Sequence, residues 1–287
     1  MKWRGRQRSR NVEDRRGQGH RRGRAAKTGG VGGVGLIVLL VVGYFLGVDV
    51  SAFLGPQGLQ DTSESSPRDL RQDQSMGDFA AVVLRDTETV WFRVLEEQLG
   101  IVYTPPTLVL FDTVTDSPCG DASGATGPFY CPADRKAYLD TSFFNTLDQR
   151  LGADGDFAAA YVVAHEVAHH IQNELGFLPQ ANAERARSSR ARANEISVMI
   201  ELQADCFSGI WARYAEATLG VVEPGDIEEA LIAARQIGDD TLARNAGRTP
   251  MPHTFTHGTS EQRMEWFARG YRTAELAACD TFGNDLL

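Results

Sequence analysis

The sequence predicts an α+β domain, mostly helical with a small sheet, preceded by one transmembrane helix. Three observations predict this. Residues 29–48 run for twenty positions without a charge, the length that spans a bilayer. Beyond them, long runs carry apolar residues near the helical period, and only two short apolar runs, Thr107–Phe111 and Lys136–Asp140, suit strands. A chain of 287 residues can also bury one full core once its N-terminal part is set aside.

The N-terminal part is divided by charge. Eleven of the 29 Lys and Arg residues fall before residue 28, where the only acidic residues are Glu13 and Asp14. The overall charge of −9 therefore joins a basic arm to an acidic domain. Residues 1–28, rich in Arg, Gly, Ser and Gln, hold too few apolar side chains to offset the entropy of ordering, so a disordered cytoplasmic arm is expected. Positive charge beside a span stays cytoplasmic, which places the remainder of the chain outside. A cleaved signal peptide is the alternative for residues 29–48, although no small-residue cleavage site follows closely. Residues 49–75, with Ser, Gln, Asp, Pro and Gly, have the composition of a tether.

The domain is expected over residues 76–287. Asp78 can cap a helix whose apolar positions Phe79, Val82, Val83, Val90, Trp91, Val94, Leu95 and Leu99 recur at helical spacing, and Gly100 ends it. Pro105 and Pro106 precede the strand Thr107–Phe111. A Gly/Ser/Asp/Pro loop then holds Cys119 and ends at Cys131. Four cysteines, an even number in a segment read as exported, favour disulfides. Of three connectivities the expected one is Cys119–Cys131 with Cys206–Cys279, a buried free Cys206 being the other reading. Asp154 or Asp156 can cap the following alanine-rich helix, which Gly176 and Pro179 stop. A second long helix is expected from about residue 181 to Gly220. Asp226 and Glu229 suit a capping box, and Thr259 or Ser260 can cap the last helix.

The chemistry sits in the alanine-rich helix. His165-Glu166-Val167-Ala168-His169 is an H-E-x-x-H pattern. Residues four apart lie one above the other on a helix, so His165 and His169 present their rings on one face at a spacing that suits one metal ion. Glu166, about a quarter turn round, is poorly placed as a ligand but can act as general base toward the attacking water. A catalytic zinc takes a third protein ligand, and the second helix offers Glu201, with Asp205 four residues on to accept a hydrogen bond from a ligating histidine. His170 points away from this face and is left out of the site.

Residues 164–172 and 201–211 (E-L-Q-A-D-C-F-S-G-I-W) resemble the bacterial family described as "putative neutral zinc metallopeptidases", as do Gly127–Asp134, Ala137–Asp140 and His257–Arg263 with Trp266 and Phe267. The resemblance covers about residues 107–281. It implies a zincin-like fold, Zn2+ as cofactor and a peptide or protein substrate. By the same resemblance Lys136–Asp140 could be the sheet edge that takes up a peptide as an added strand, or else an ordinary interior strand. His257, or less directly His253, would donate a hydrogen bond to the developing oxyanion. Arg263 would pair with a site carboxylate such as Asp205.

The function expected is a membrane-anchored zinc endopeptidase, N-terminus cytoplasmic and catalytic domain extracytoplasmic. The competing reading is a zinc-stabilised scaffold at the membrane that cleaves nothing; the presence of Glu166 argues against it, since a purely structural site needs no base and is more often closed by a fourth protein ligand. A cytoplasmic nucleic-acid protein led by the basic arm would require residues 29–48 not to span, and no nucleic-acid partner is expected.

Overall fold

The computed structural model describes residues 1–17, 67–120, 122–123, 127–149, 152–153 and 155–283. Among these residues no helix is long and apolar enough to cross a membrane; the expected span at 29–48 lies outside them. Strand β1 (Val12–Asp14) precedes helix α1 (Pro67–Leu99). There follow β2 (Thr107–Phe111), β3 (Val114–Thr115), β4 (Ala122–Ser123), β5 (Phe129–Cys131) and β6 (Lys136–Asp140). The rest is helical: α2 (Phe143–Gln149), α3 (Asp156–Glu174), α4 (Phe177–Arg187), α5 (Arg190–Tyr214), α6 (Asp226–Gln236), α7 (Asp239–Asn245) and α8 (Ser260–Thr273). The expected mostly helical α+β architecture is what is found.

The main sheet has the order β1-β2-β6-β5, with β1, β2 and β6 parallel and β5 antiparallel to β6. Thr107–Phe111 and Lys136–Asp140 are strands as read, paired from Thr107↔Lys136 to Phe111↔Asp140. β6 is the interior strand of the two alternatives, since β2 and β5 flank it. Its near-continuous apolar run is the pattern of a parallel strand covered on both faces.

The N-terminal arm differs from expectation over residues 1–17. It is folded on the domain rather than disordered: Val12–Asp14 pairs with Leu108–Leu110, and the Met1 side chain enters the core. Composition alone fails here because the arm borrows the domain's core and carboxylates. Arg6 pairs with Asp86, and Arg8 with Asp78. Ser9 and Asn11 donate to Glu88 at 2.5 and 2.8 Å. Asp86 and Glu88 are both buried in α1, and burial pushes the Asp86 carboxyl up to about 6 against the opposing pull of Arg6. The Met1 ammonium sits among Asp156, Glu223 and Asp226, and so supplies counter-charge to two members of an acidic cluster of Asp156, Asp226 and Glu229. Val12–Asp14, on the N-terminal side of residues 29–48, is thus hydrogen-bonded to a strand on their C-terminal side. Removing residues 2–17 from the full chain is expected to lower stability by about 3 kcal/mol, because buried Asp86 loses Arg6 and buried Glu88 keeps only Arg85. Urea unfolding checks this, and a loss under about 1 kcal/mol would show the arm undocked.

Other boundaries shift for identifiable reasons. α1 begins at Pro67, so part of the expected tether is helix, its proline tolerated in the first turn. Pro179 does not end α3; it lies in the first turn of α4, after a left-handed Gly176 (φ 84°) turns the chain. The second long helix is two helices. Ser189 caps α5 by accepting from the Arg192 N–H, and the break at Ser188 separates α4 from it. Of the two expected caps of α3, Asp154 lies outside the described residues and Asp156 is already the first residue of the helix: Gly155 is the N-cap, and the Phe157 N–H donates to Glu229 Oε2 at 3.0 Å. Glu229 thus caps a neighbouring helix instead of closing a capping box in its own. Thr259 is the residue that caps α8, reciprocated by Gln262.

α3 is buried nearly all round, which its alanines and valines permit, and it packs against α1, α5 and α6. α5 crosses α8 through two glycines. A Cβ at Gly209 would stand 2.0 Å from the Phe267 carbonyl oxygen, and one at Gly270 would stand 1.8 Å from that of Cys206. This close approach brings Asp205 of α5 against Arg263 of α8. The cystines are Cys119–Cys131 and Cys206–Cys279, with Cα atoms 5.8 and 5.6 Å apart, the connectivity expected. The second ties α5 to the turn at Leu276–Cys279 that follows α8.

Candidate metal centre

The helical spacing of His165 and His169 sets their rings 4.8 Å apart on one face of α3, facing Glu201 from α5. His165 Nε2 is 3.1 Å from Glu201 Oε2, and His169 Nε2 is 3.6 Å from Oε1. The ligand atoms of the three residues all lie within 4.8 Å of one another. Each histidine turns its Nε2 toward the shared space and its Nδ1 toward a partner. Nδ1 of His165 lies 3.0 Å from Asp205 Oδ1, and Nδ1–H of His169 donates to Gln172 Oε1 at 2.8 Å. For His169 that is the arrangement in which an outer partner fixes the tautomer and leaves Nε2 for a metal; the His165–Asp205 approach is an ion-pair distance without hydrogen-bond alignment.

The electrostatics are those of a site built for a cation. Burial alone would favour a neutral His165, but the carboxylates of Asp205 and Glu201 outweigh it and push the imidazole up to about 9. Burial would likewise raise Glu201, yet His169 and His165 hold it well below the usual carboxylate range. Glu166 responds in the opposite sense: burial raises its carboxyl, only partly offset by the two histidines, and its Oε2 is buried without a hydrogen-bond partner. Two neutral-capable imidazoles and a carboxylate suit zinc by donor type. An unpartnered carboxylate oxygen beside them fits a base whose partner is a reactant.

Behind the ligands lies a buried ion network. Arg263 Nε and Nη2 donate to Asp205 Oδ2 and Oδ1 at 2.8 and 3.0 Å, the fork-to-carboxylate geometry that makes such pairs strong. The Tyr161 hydroxyl donates to the same carboxylate and accepts from Arg263 Nη2 at 3.2 Å. Asp205 and Arg263 thus meet as the resemblance implied. Tyr161 was not foreseen, although it stands four residues before His165 and so on the same helical face. A second chain runs from His169 through Gln172 to the Ile200 carbonyl and to Gln203 Oε1, and from Gln203 to the Cys279 carbonyl. Sequence reasoning gave neither glutamine a role.

The site opens on a cavity of roughly 690 Å³ whose lining includes His165, Glu166, His169, Glu201, Tyr130 and His257. His253 is not among its lining residues; it is exposed in the turn Pro252–Thr254. His257 is held by a residue that sequence reasoning missed. Asp239, at the start of α7, accepts the backbone N–H groups of Thr256, His257 and Gly258 at 2.7 to 3.1 Å, and lies 3.3 Å from His257 Nδ1. Partial desolvation works against a charged His257, whose side chain is half exposed, but Asp239 and then Glu201 raise it overall.

A helix bearing two histidines and a base, with a carboxylate ligand supplied by a second helix, defines the class of H-E-x-x-H metal hydrolase sites. The chain belongs to the family described as "Putative neutral zinc metallopeptidase", whose model matches residues 1–282. Among its relatives, "Uncharacterized protein YpfJ" of Escherichia coli K12 is 41% identical over 295 residues covering all of both chains. "Uncharacterized protein Rv2575" of Mycobacterium tuberculosis H37Rv and "Uncharacterized protein Mb2605" of Mycobacterium bovis are each 39% identical, over 83% of this chain and 84% of theirs. No solved structure matches. The match from residue 1 includes the arm, in keeping with its place in the fold.

Proposed function

We propose that the protein is a zinc-dependent endopeptidase, attached to a membrane through residues 29–48, with His165, His169 and Glu201 holding the metal. The observation that carries the reading is the unpartnered Glu166 Oε2 beside the three ligand atoms. Zinc, when bound, supplies Lewis-acid polarisation of the scissile carbonyl and makes water a better nucleophile at neutral pH. Glu166 takes the proton of the attacking water and passes it to the leaving amine. His257, oriented by Asp239, donates to the oxygen on which negative charge develops. Gln172 keeps the His169 imidazole in the ligating tautomer.

The sheet edge beside the cavity is β5, not β6, so an extended substrate would lie along Phe129–Cys131 as an added strand. Such a site reads backbone more than side chains, which suits an endopeptidase. The two cystines suit an oxidising compartment outside the cytoplasm for the domain. The test is cleavage of a pool of unfolded polypeptides by the full chain. Cleavage at internal bonds that stops with a chelator and returns with zinc is expected; no cleavage by zinc-loaded protein would overturn the reading.

A further inference from the structure

His170, next to a proposed ligand but on the other side of α3, is fully buried and takes no part in the chemistry above. Its Nε2–H donates to the Thr104 carbonyl at 2.7 Å, which leaves Nδ1 as an acceptor. The Tyr130 hydroxyl, 3.0 Å away, donates to it. The rings of Tyr130 and Tyr103 stand edge-on to the imidazole, at 5.5 and 5.9 Å. One side chain therefore joins the metal-binding helix, the segment leading into β2, and the edge strand β5.

β5 needs such a tie. It has three residues and one ladder partner, β6, and a ladder that short is marginal by itself. The Cys119–Cys131 cystine closes the loop before β5 but does not reach α3. Tyr130 does, through His170 and through Asn173 of the same helix, and Tyr130 also lines the cavity.

We infer that His170 is a positioning residue: through Tyr130 it fixes the spacing between the edge strand that receives a peptide and the helix that carries Glu166. This rests on the reading of the cavity as a peptide site. In the zinc-loaded full chain, Tyr130→Phe and His170→Phe are expected to raise amide exchange at Phe129–Cys131 about tenfold, with the amides of His165–Gln172 and the zinc content unchanged. For extended peptides KM should rise about five- to tenfold with kcat within about twofold. A merely structural hydrogen bond would instead speed exchange throughout and leave KM alone; that result, or unchanged exchange at β5, would overturn the inference. If the unaltered protein cleaves no peptide, the peptidase reading fails and the substrate role with it, while the exchange data still decide whether His170 holds β5.

Discussion

Glu166→Gln is expected to lower peptide cleavage by about a thousandfold, the middle of the range for loss of a positioned general base, while zinc stays bound. The substitution keeps the shape of the side chain and removes only its basicity. Glu166 lies outside the trio whose ligand atoms converge, so the metal should not sense the change, and its Oε2 has no protein partner to lose. Burial, which raises this carboxyl, also suits it to hold the transferred proton until the amine leaves. The measurement is single-turnover cleavage of one identified peptide alongside metal analysis. A Gln variant cleaving at the unaltered rate would remove Glu166 from the mechanism.

The second large effect is on stability. Arg263→Met should cost about 3–5 kcal/mol, because Asp205 would stay buried without its counter-charge. Arg263 is 2% exposed and Asp205 not at all, so water cannot replace the lost donors. Burial alone would raise the Asp205 carboxyl, yet Arg263 outweighs it and holds it below the usual range. A depressed carboxylate contributes stability that is present above its unfolded pKa and lost as the pH falls through the folded one. The variant's deficit should therefore be full at neutral pH and shrink in acid. Asp205→Asn with Arg263→Met should cost less than the sum of the two single changes, the signature of direct coupling. A loss under about 1 kcal/mol for Arg263→Met in urea unfolding would show the pair to be solvated.

What the sequence disclosed of this site follows from helical periodicity. His165 with His169, and Glu201 with Asp205, stand four apart in runs free of glycine and proline, and that spacing is local information. Asp239 was invisible because its role is to accept three backbone N–H groups from a loop nearly twenty residues on. Tyr161 and Gln172 could have been found from the same period, four before His165 and three after His169, had buried polar residues on the ligand face been sought. The fold shows the same division. β2 and β6 are five-residue strands with apolar centres and were legible; β1 and β5 are three residues long and owe their existence to partners distant in the chain. The arm is the sharpest case, since its arginines look solvated until Asp86 and Asp78 are brought to them.

The central claim is that His165, His169 and Glu201 converge on one zinc ion. The most direct measurement is zinc per chain in the full-length protein after exhaustive dialysis, beside Glu201→Ala. About one zinc, sharply reduced in the variant, is the predicted result. A chain that holds no zinc and takes up none on addition, or a Glu201→Ala variant that retains it fully, would contradict the account.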